Sequence, residues 1–268
     1  MLPLPTVHAV RLATPEDLPR ISLVAAAAFF WSPSFQFQRP RYRDFPTDTI
    51  ASYLLEYEAT LKDPTCAVLV AEDVLKEDEA QDVYEALRFA YGLRSPRQKG
   101  IVGVCSLKLK PNSSYVGHFQ SQNTLVGVAG SDTILASNTA AGLHIFPGHL
   151  QICNLKRDQC AVAIAQYNTV TAPAKLEHLE GKMRLSTLAV APSYWRRGHA
   201  SRLVSFCTQL ADLDDALLGI SATLRGQTVV EKAGFQEREV THVTLDAQLG
   251  QHAQAAREAP SDVHATLW

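Results

Sequence analysis

The apolar positions of this chain fall into short blocks with two different periods, and the blocks alternate. Val7 to Ala13 reads as a strand, with β-branched residues at intervals. Thr14-Pro15-Glu16-Asp17 then predicts a helix start. Thr14 can serve as N-cap, Pro15 suits a first turn whose N–H groups are unpaired anyway, and Asp17 stands where a capping-box acid would. That helix runs to Phe30 and is ended by Ser32-Pro33. Residues 31–46 form an aromatic and basic connection. A second helix, Thr47 to Lys62, carries Ile50, Tyr53, Leu54, Tyr57 and Leu61 at helical steps and stops at Asp63-Pro64. Strands follow at Cys66–Glu72 and Gly100–Leu109, with a charged segment and a helix ending near Phe89 or Ala90 between them. Late in the chain come a strand at Met183–Val190, a helix at His199–Leu213, a strand at Leu217–Ala222, a short helix at Gly226–Lys232 and a last strand at Val240–Leu245. Between Lys110 and Lys182 the pattern weakens. That stretch reads as an insertion, with strand fragments at Thr124–Gly130 and Gly142–Phe146. The residues after 247 are polar and alanine-rich and read as a frayed tail.

Composition narrows the function classes. Hydrophobic residues make up 46% of the chain and charged residues 19%, enough to bury a core. The formal charge is -2, without the global basic pull of nucleic-acid binders. The longest uninterrupted apolar run, Leu23 to Trp31, is too short to cross a bilayer, and the first residues lack a signal pattern, so the expected location is cytoplasmic with no membrane partner. The five cysteines form no CxxC pair, which predicts free thiols and neither a disulfide framework nor a metal site.

The chemistry concentrates after Val190. There a buried strand passes through Ala191-Pro-Ser-Tyr-Trp-Arg-Arg-Gly-His-Ala-Ser201 into an amphipathic helix. The first amides of such a helix have no intrahelical acceptor, and the helix dipole adds positive potential there. A diphosphate is suited to that place. Gly198 allows close backbone approach, Ala200 is small, and Arg196 and Arg197 add charge. An ordinary strand–helix turn with exposed arginines would read the same way. Neither a P-loop nor a dinucleotide fingerprint is present.

The same segment resembles the acetyl-CoA signature of the GNAT superfamily, [RQ]-x-x-G-x-[GA]. Gly198 and Ala200 match it, and Trp195 stands in place of Gln or Arg. Leu188-Ala-Val-Ala-Pro192 resembles the family's strand end, and Ala222 to Phe235 resembles its late segment, with Glu231, Lys232, Gly234 and Phe235 in register. The resemblance covers residues 8–109 and 183–245. It implies an α/β (α+β) GNAT fold, a mixed central sheet of about six to seven strands flanked by helices. It predicts one domain over 7–247, with the insertion at 110–182 and the tail at 248–268.

The resemblance also implies an acyltransferase that moves an acetyl group from acetyl-CoA directly to the amine of a small or peptide acceptor. The donor would be held by main-chain groups of Leu188, Ala189 and Val190 and by Arg196, Arg197, Gly198, His199, Ala200 and Ser201. His199 reads either as a structural residue or as a phosphate contact. Phe30, Trp31, Phe35 and Phe37 would line an aromatic or apolar acceptor site, or pack against the sheet. Arg39, Arg41 and Arg43 meet an anionic substrate or face water. The family's proton-donating tyrosine corresponds to Val230, which has no proton to give. Ser221 and Thr223 stand nearby in sequence, and Glu180 could reach the cleft as a base or belong to a solvated loop. The alternative is a GNAT fold without acetyl transfer, either a CoA-binding scaffold or an enzyme repurposed for another apolar metabolite.

Overall fold

The computed structural model describes residues 2–92, 98–120, 156–244 and 262–268. Seven strands form one sheet in the order β1-β2-β3-β4-β5-β7-β6. They are β1 (Val10–Leu12), β2 (Cys66–Val74), β3 (Lys99–Lys108), β4 (Met183–Val190), β5 (Leu218–Ala222), β6 (Glu239–Thr244) and β7 (Asp262–Leu267). Neighbours run antiparallel except β4 and β5, which are parallel. The helices are α1 (Leu18–Phe29), α2 (Pro33–Gln38), α3 (Pro46–Lys62), α4 (Ala161–Leu179), α5 (His199–Leu213) and α6 (Leu224–Lys232).

Strand alternation divides the core between the two faces of the sheet. Val68, Val70, Val102 and Val104 pack with α1, α3 and their aromatic residues on one face. Leu69, Cys105, Leu107 and Leu185 pack against Leu203, Val204, Cys207 and Leu210 of α5 on the other. Among the described residues four cysteines are free thiols; Cys105 and Cys207 touch at 3.8 Å without a bond.

Four expectations change. The tail does not fray throughout: its last residues form β7, inserted between β5 and β6, where Val263, Ala265 and Leu267 are buried. Six residue pairs with β6 hold it, and Trp268 exchanges two backbone hydrogen bonds with Ile220 of β5. Tertiary pairing makes this strand, and six residues beyond a polar stretch carry too little local signal to announce it. Within the supposed insertion, 161–179 is the helix α4, whose apolar residues do not keep to one face and which contains Pro173. The strand fragments expected at 124–130 and 142–146 lie outside the described residues. Where a helix was expected up to Ala90, two 3₁₀ turns occur, Glu79–Asp82 and Glu85–Ala90. The connection after α1 contains the short helix α2, with Pro33 at its first position.

Candidate active site

The turn between β4 and α5 is held from below by a buried polar network. Arg20 of α1 pairs with Glu79 through both guanidinium nitrogens, at 2.9 and 2.8 Å, and its third donor goes to the Ile101 carbonyl at 2.8 Å. Glu79 also accepts from the Tyr194 hydroxyl at 3.0 Å, and that hydroxyl accepts from the Lys76 amide at 2.8 Å. Ser193 donates to Asp82 at 2.7 Å. The 3₁₀ turn Pro192–Tyr194 is thereby fixed, and the chain leaves it through two left-handed residues, Arg196 (φ 60°) and Gly198 (φ 82°). Glycine adopts that conformation without strain.

The hydrogen-bond ladder of α5 opens with the Arg202 amide on the Gly198 carbonyl. Ahead of it, the amides from Arg197 to Ser201 find no backbone or side-chain acceptor among the described residues. A β-carbon built at Gly198 meets no protein atom within 4 Å, so the space in front of the turn is open. Arg196 and Ser201 are exposed, and Ala200 packs partly against the core. Arg197 pairs with Asp73 at 3.2 Å and lies over the Tyr194 ring. His199 is buried, with Nε2 at 3.1 Å from the same Asp73 carboxylate. Burial pushes its pKa down, against the pull of Asp73. The Nε2 contact is structural, while buried Nδ1 has no hydrogen-bond partner among the described residues.

Beside the turn, β4 and β5 part. They pair only at Met183–Leu218, Arg184–Gly219 and Leu185–Ile220. Beyond that point Ser221 and Ala222 have no partner on β4, while their other edge stays paired with β7. On its other edge β4 stays with β3, skipping Ser186 as a bulge. The Ala191 amide donates to the Val102 carbonyl, so by antiparallel alternation Ala189 bonds to β3 while Leu188 and Val190 turn their main-chain groups toward the gap. The Val190 carbonyl is taken by the Trp195 indole N–H at 2.6 Å. An open strand edge and a row of free amides thus flank the point where β4 and β5 part. They fit a long donor ending in a diphosphate.

The model of the family described as "Acetyltransferase (GNAT) family" matches residues 37–223. The chain belongs to the GNAT acetyltransferase family. A protein named acetyltransferase from the fungus Stachybotrys chartarum is 26% identical over 241 residues, covering 90% of this chain and 86% of that one. Similar solved structures include a putative arylalkylamine N-acetyltransferase from the yellow fever mosquito, 12% identical with a TM-score of 0.48 over 97% of this chain and 86% of that one. Another is a polyamine N-acetyltransferase of Drosophila melanogaster, 11% identical with a TM-score of 0.45 over 97% and 98%.

In this GNAT acyltransferase the acceptor-side residues separate. Phe30 stacks on Tyr84 at 4.4 Å and meets Phe35, Tyr42 and Trp31 edge to face. Phe35 is buried in that cluster, whereas Phe37 is buried elsewhere, with Ala163, Val243 and Val263. Helix periodicity explains the split, since residues two apart on α2 face different neighbours. Phe37 therefore lines no acceptor site. Trp31 is exposed and touches Trp195. None of the three arginines of the connection waits for a substrate: Arg39 binds buried Asp158, Arg41 binds Asp44 at 3.5 Å, and Arg43 donates to the Tyr42 hydroxyl at 3.0 Å.

The catalytic candidates also move apart. Glu180 is exposed just past α4, at the start of β4, the end opposite the gap. It cannot reach the open half of the strand. Ser221 lies on the part of β5 that leaves β4, and Thr223 caps α6 through its carbonyl. Val230 is fully buried in the α5-side core. Sequence reasoning missed Tyr57, whose hydroxyl lies 2.9 Å from Thr187 Oγ1 on β4; Thr187 in turn meets Ser106 Oγ at 2.7 Å. The signal was present, because a tyrosine on a core-facing stripe needs a partner for its hydroxyl. Burial holds that hydroxyl's pKa well above its usual value. The preceding Glu56 keeps contact with solvent, yet burial pushes its carboxyl pKa up despite the charge of Arg39.

Proposed function

We propose that this protein transfers an acetyl group from acetyl-CoA to the amine of a small acceptor in the gap between β4 and β5. The observation that carries the reading is the parting of the two parallel strands directly under the free amides of α5. Bound acetyl-CoA supplies the activated thioester. The amides of Arg197 to Ser201, with Gly198 at the closest approach and Arg196 as added charge, would hold its diphosphate. Leu188 would offer main-chain groups to the arm that follows, and its amide can stabilise negative charge developing on the carbonyl oxygen. Trp195 occupies the Val190 carbonyl, so Leu188 carries more of this recognition than Val190.

Two side chains are assigned the proton transfers. Glu56, a solvent-reaching carboxyl whose pKa is raised by burial against the pull of Arg39, takes the proton of the acceptor ammonium, directly or through water. Tyr57 keeps its proton at neutral pH and stands one hydroxyl from β4. It is the proton source for the leaving thiolate, the role that Val230 cannot fill. Phe30 and Trp31, half-buried and exposed, supply an apolar acceptor wall. The cytoplasm is the compartment we assign.

Calorimetry with acetyl-CoA, followed by thiol release with a panel of arylalkyl and aliphatic amines, tests the reading. Saturable binding with amine-dependent release is the expected result. Binding without release for any amine would leave a CoA-binding scaffold, and no binding would overturn the site.

A further inference from the structure

Arg225 is the second residue of α6 and takes no part in the donor cradle described above. Its guanidinium carbon lies 5.3 Å from the ring centroid of Trp31 and 5.3 Å from that of Trp195. The two indoles meet edge to face, with centroids 5.9 Å apart and planes at 71°. The three residues come from three places: the end of α1, the turn after β4, and the helix after β5. Because Trp195 follows one parting strand and Arg225 follows the other, their contact bridges the mouth of the gap.

The arginine is held in an unusual way. Arg20, Arg39, Arg157 and Arg197 each spend their N–H groups on a carboxylate. Arg225 makes no hydrogen bond and no ion pair among the described residues, yet its position is set by two ring faces. Cation–π contact restrains the guanidinium from the sides and leaves its edge donors unspent. A pre-positioned fork of that kind matches the two oxygens of a carboxylate or a phosphate.

We propose that Arg225, seated against Trp31 and Trp195, is an oxyanion-binding residue at the mouth of the transfer gap. The inference rests on the reading of that gap as the transfer site. The anion comes from one of two sources with the same chemistry. It is a carboxylate on the acceptor, which would make the acceptor an amino-acid-like amine, or it is a phosphate of the donor.

The test uses the whole protein and its own tryptophans. Two of the three, Trp31 and Trp195, flank Arg225, so their fluorescence reports on it. Wild type, Arg225→Gln and Arg225→Lys are titrated with phenylacetate and with pyrophosphate, and acetyl-CoA affinity is measured by calorimetry in parallel. The side chain is exposed, so neither variant is expected to disturb folding, which circular dichroism checks. Arg225→Gln should weaken one probe by about tenfold, the worth of one charge-assisted contact, with Lys intermediate. Weaker phenylacetate with unchanged acetyl-CoA affinity assigns the acceptor carboxylate. Weaker pyrophosphate together with weaker acetyl-CoA assigns the donor phosphate. Equal affinities of wild type and Arg225→Gln for both probes and for acetyl-CoA would overturn the proposal. Failure of wild type to bind acetyl-CoA would instead sink the transfer reading, and the anion titrations would still report on Arg225.

Discussion

Gly198 separates the cost of folding from the cost of binding. Its φ of 82° lies in the left-handed region, and a β-carbon placed there meets no protein atom within 4 Å. An alanine therefore pays only for its backbone conformation in the free protein, about 1–2 kcal/mol. For a domain of this size that lowers Tm by roughly 2–8 °C. Asparagine tolerates the left-handed region better, so Gly198→Asn should fall less in Tm than Gly198→Ala. Binding follows a different rule, since both variants place a β-carbon in the open space before the amides of Arg197 to Ser201. Pushing a diphosphate off even one charged hydrogen bond costs about 1.5–3 kcal/mol, or ten- to a hundredfold in Kd. Thermal denaturation gives the first quantity and calorimetry with acetyl-CoA the second. Both variants should lose affinity by at least about tenfold, in an order that does not follow their Tm values. If the asparagine variant bound acetyl-CoA as tightly as wild type, the diphosphate would not lie against Gly198.

Three further outcomes follow from the same geometry. Glu79→Gln strips the charge from a buried partner of Arg20, and should destabilise the protein by about 3–5 kcal/mol in urea titration; Arg20→Met with Glu79→Leu should recover much of the loss. Tyr57→Phe should lower kcat and leave acetyl-CoA affinity unchanged, with a stability loss of about 1 kcal/mol for the hydrogen bond to Thr187; an unaltered kcat would remove Tyr57 from the chemistry. His199 is held neutral in the fold because burial lowers its pKa, whereas the unfolded chain takes up a proton near its ordinary value of 6.5. The unfolded state then binds more protons below that pH, so stability should fall as pH drops from 7 toward 5. Denaturant titrations across that range should show a flatter slope for His199→Gln. Asp73, whose pKa is lowered, titrates below this window.

The elements that the sequence made legible are those whose cause is local. Thr14-Pro15 and Asp17 announce the start of α1, and in the fold the Thr14 amide does donate to the Asp17 carboxylate at 2.8 Å. The strand Met183–Val190 and the helix His199–Leu213 lie where period and turn chemistry put them, because Gly198 must be left-handed and the helix keeps one apolar face. Long-range pairing wrote the rest. Nothing near Thr223 tells that β5 will part from β4 and keep β7 on its other edge, since β7 lies about forty residues further on. Nor does the stripe Tyr53, Tyr57, Leu61 say which of its members will meet a hydroxyl across the sheet.

The free amides and the gap thus have different origins, and the site needs both. The amides belong to one turn and survive any rearrangement that leaves α5 intact. At the gap β4 carries the bulge at Ser186, a feature that bends strands, while Ser221 and Ala222 are tied to Leu267 and Thr266 on the far side. A strand that local sequence does not announce thus holds β5 from the side opposite the legible turn. The turn was readable for this reason and the residues around it were not: Tyr57 of α3 meets Thr187, while Trp31 after α1 and Arg225 of α6 meet beside Trp195, contacts that only the assembled fold brings about.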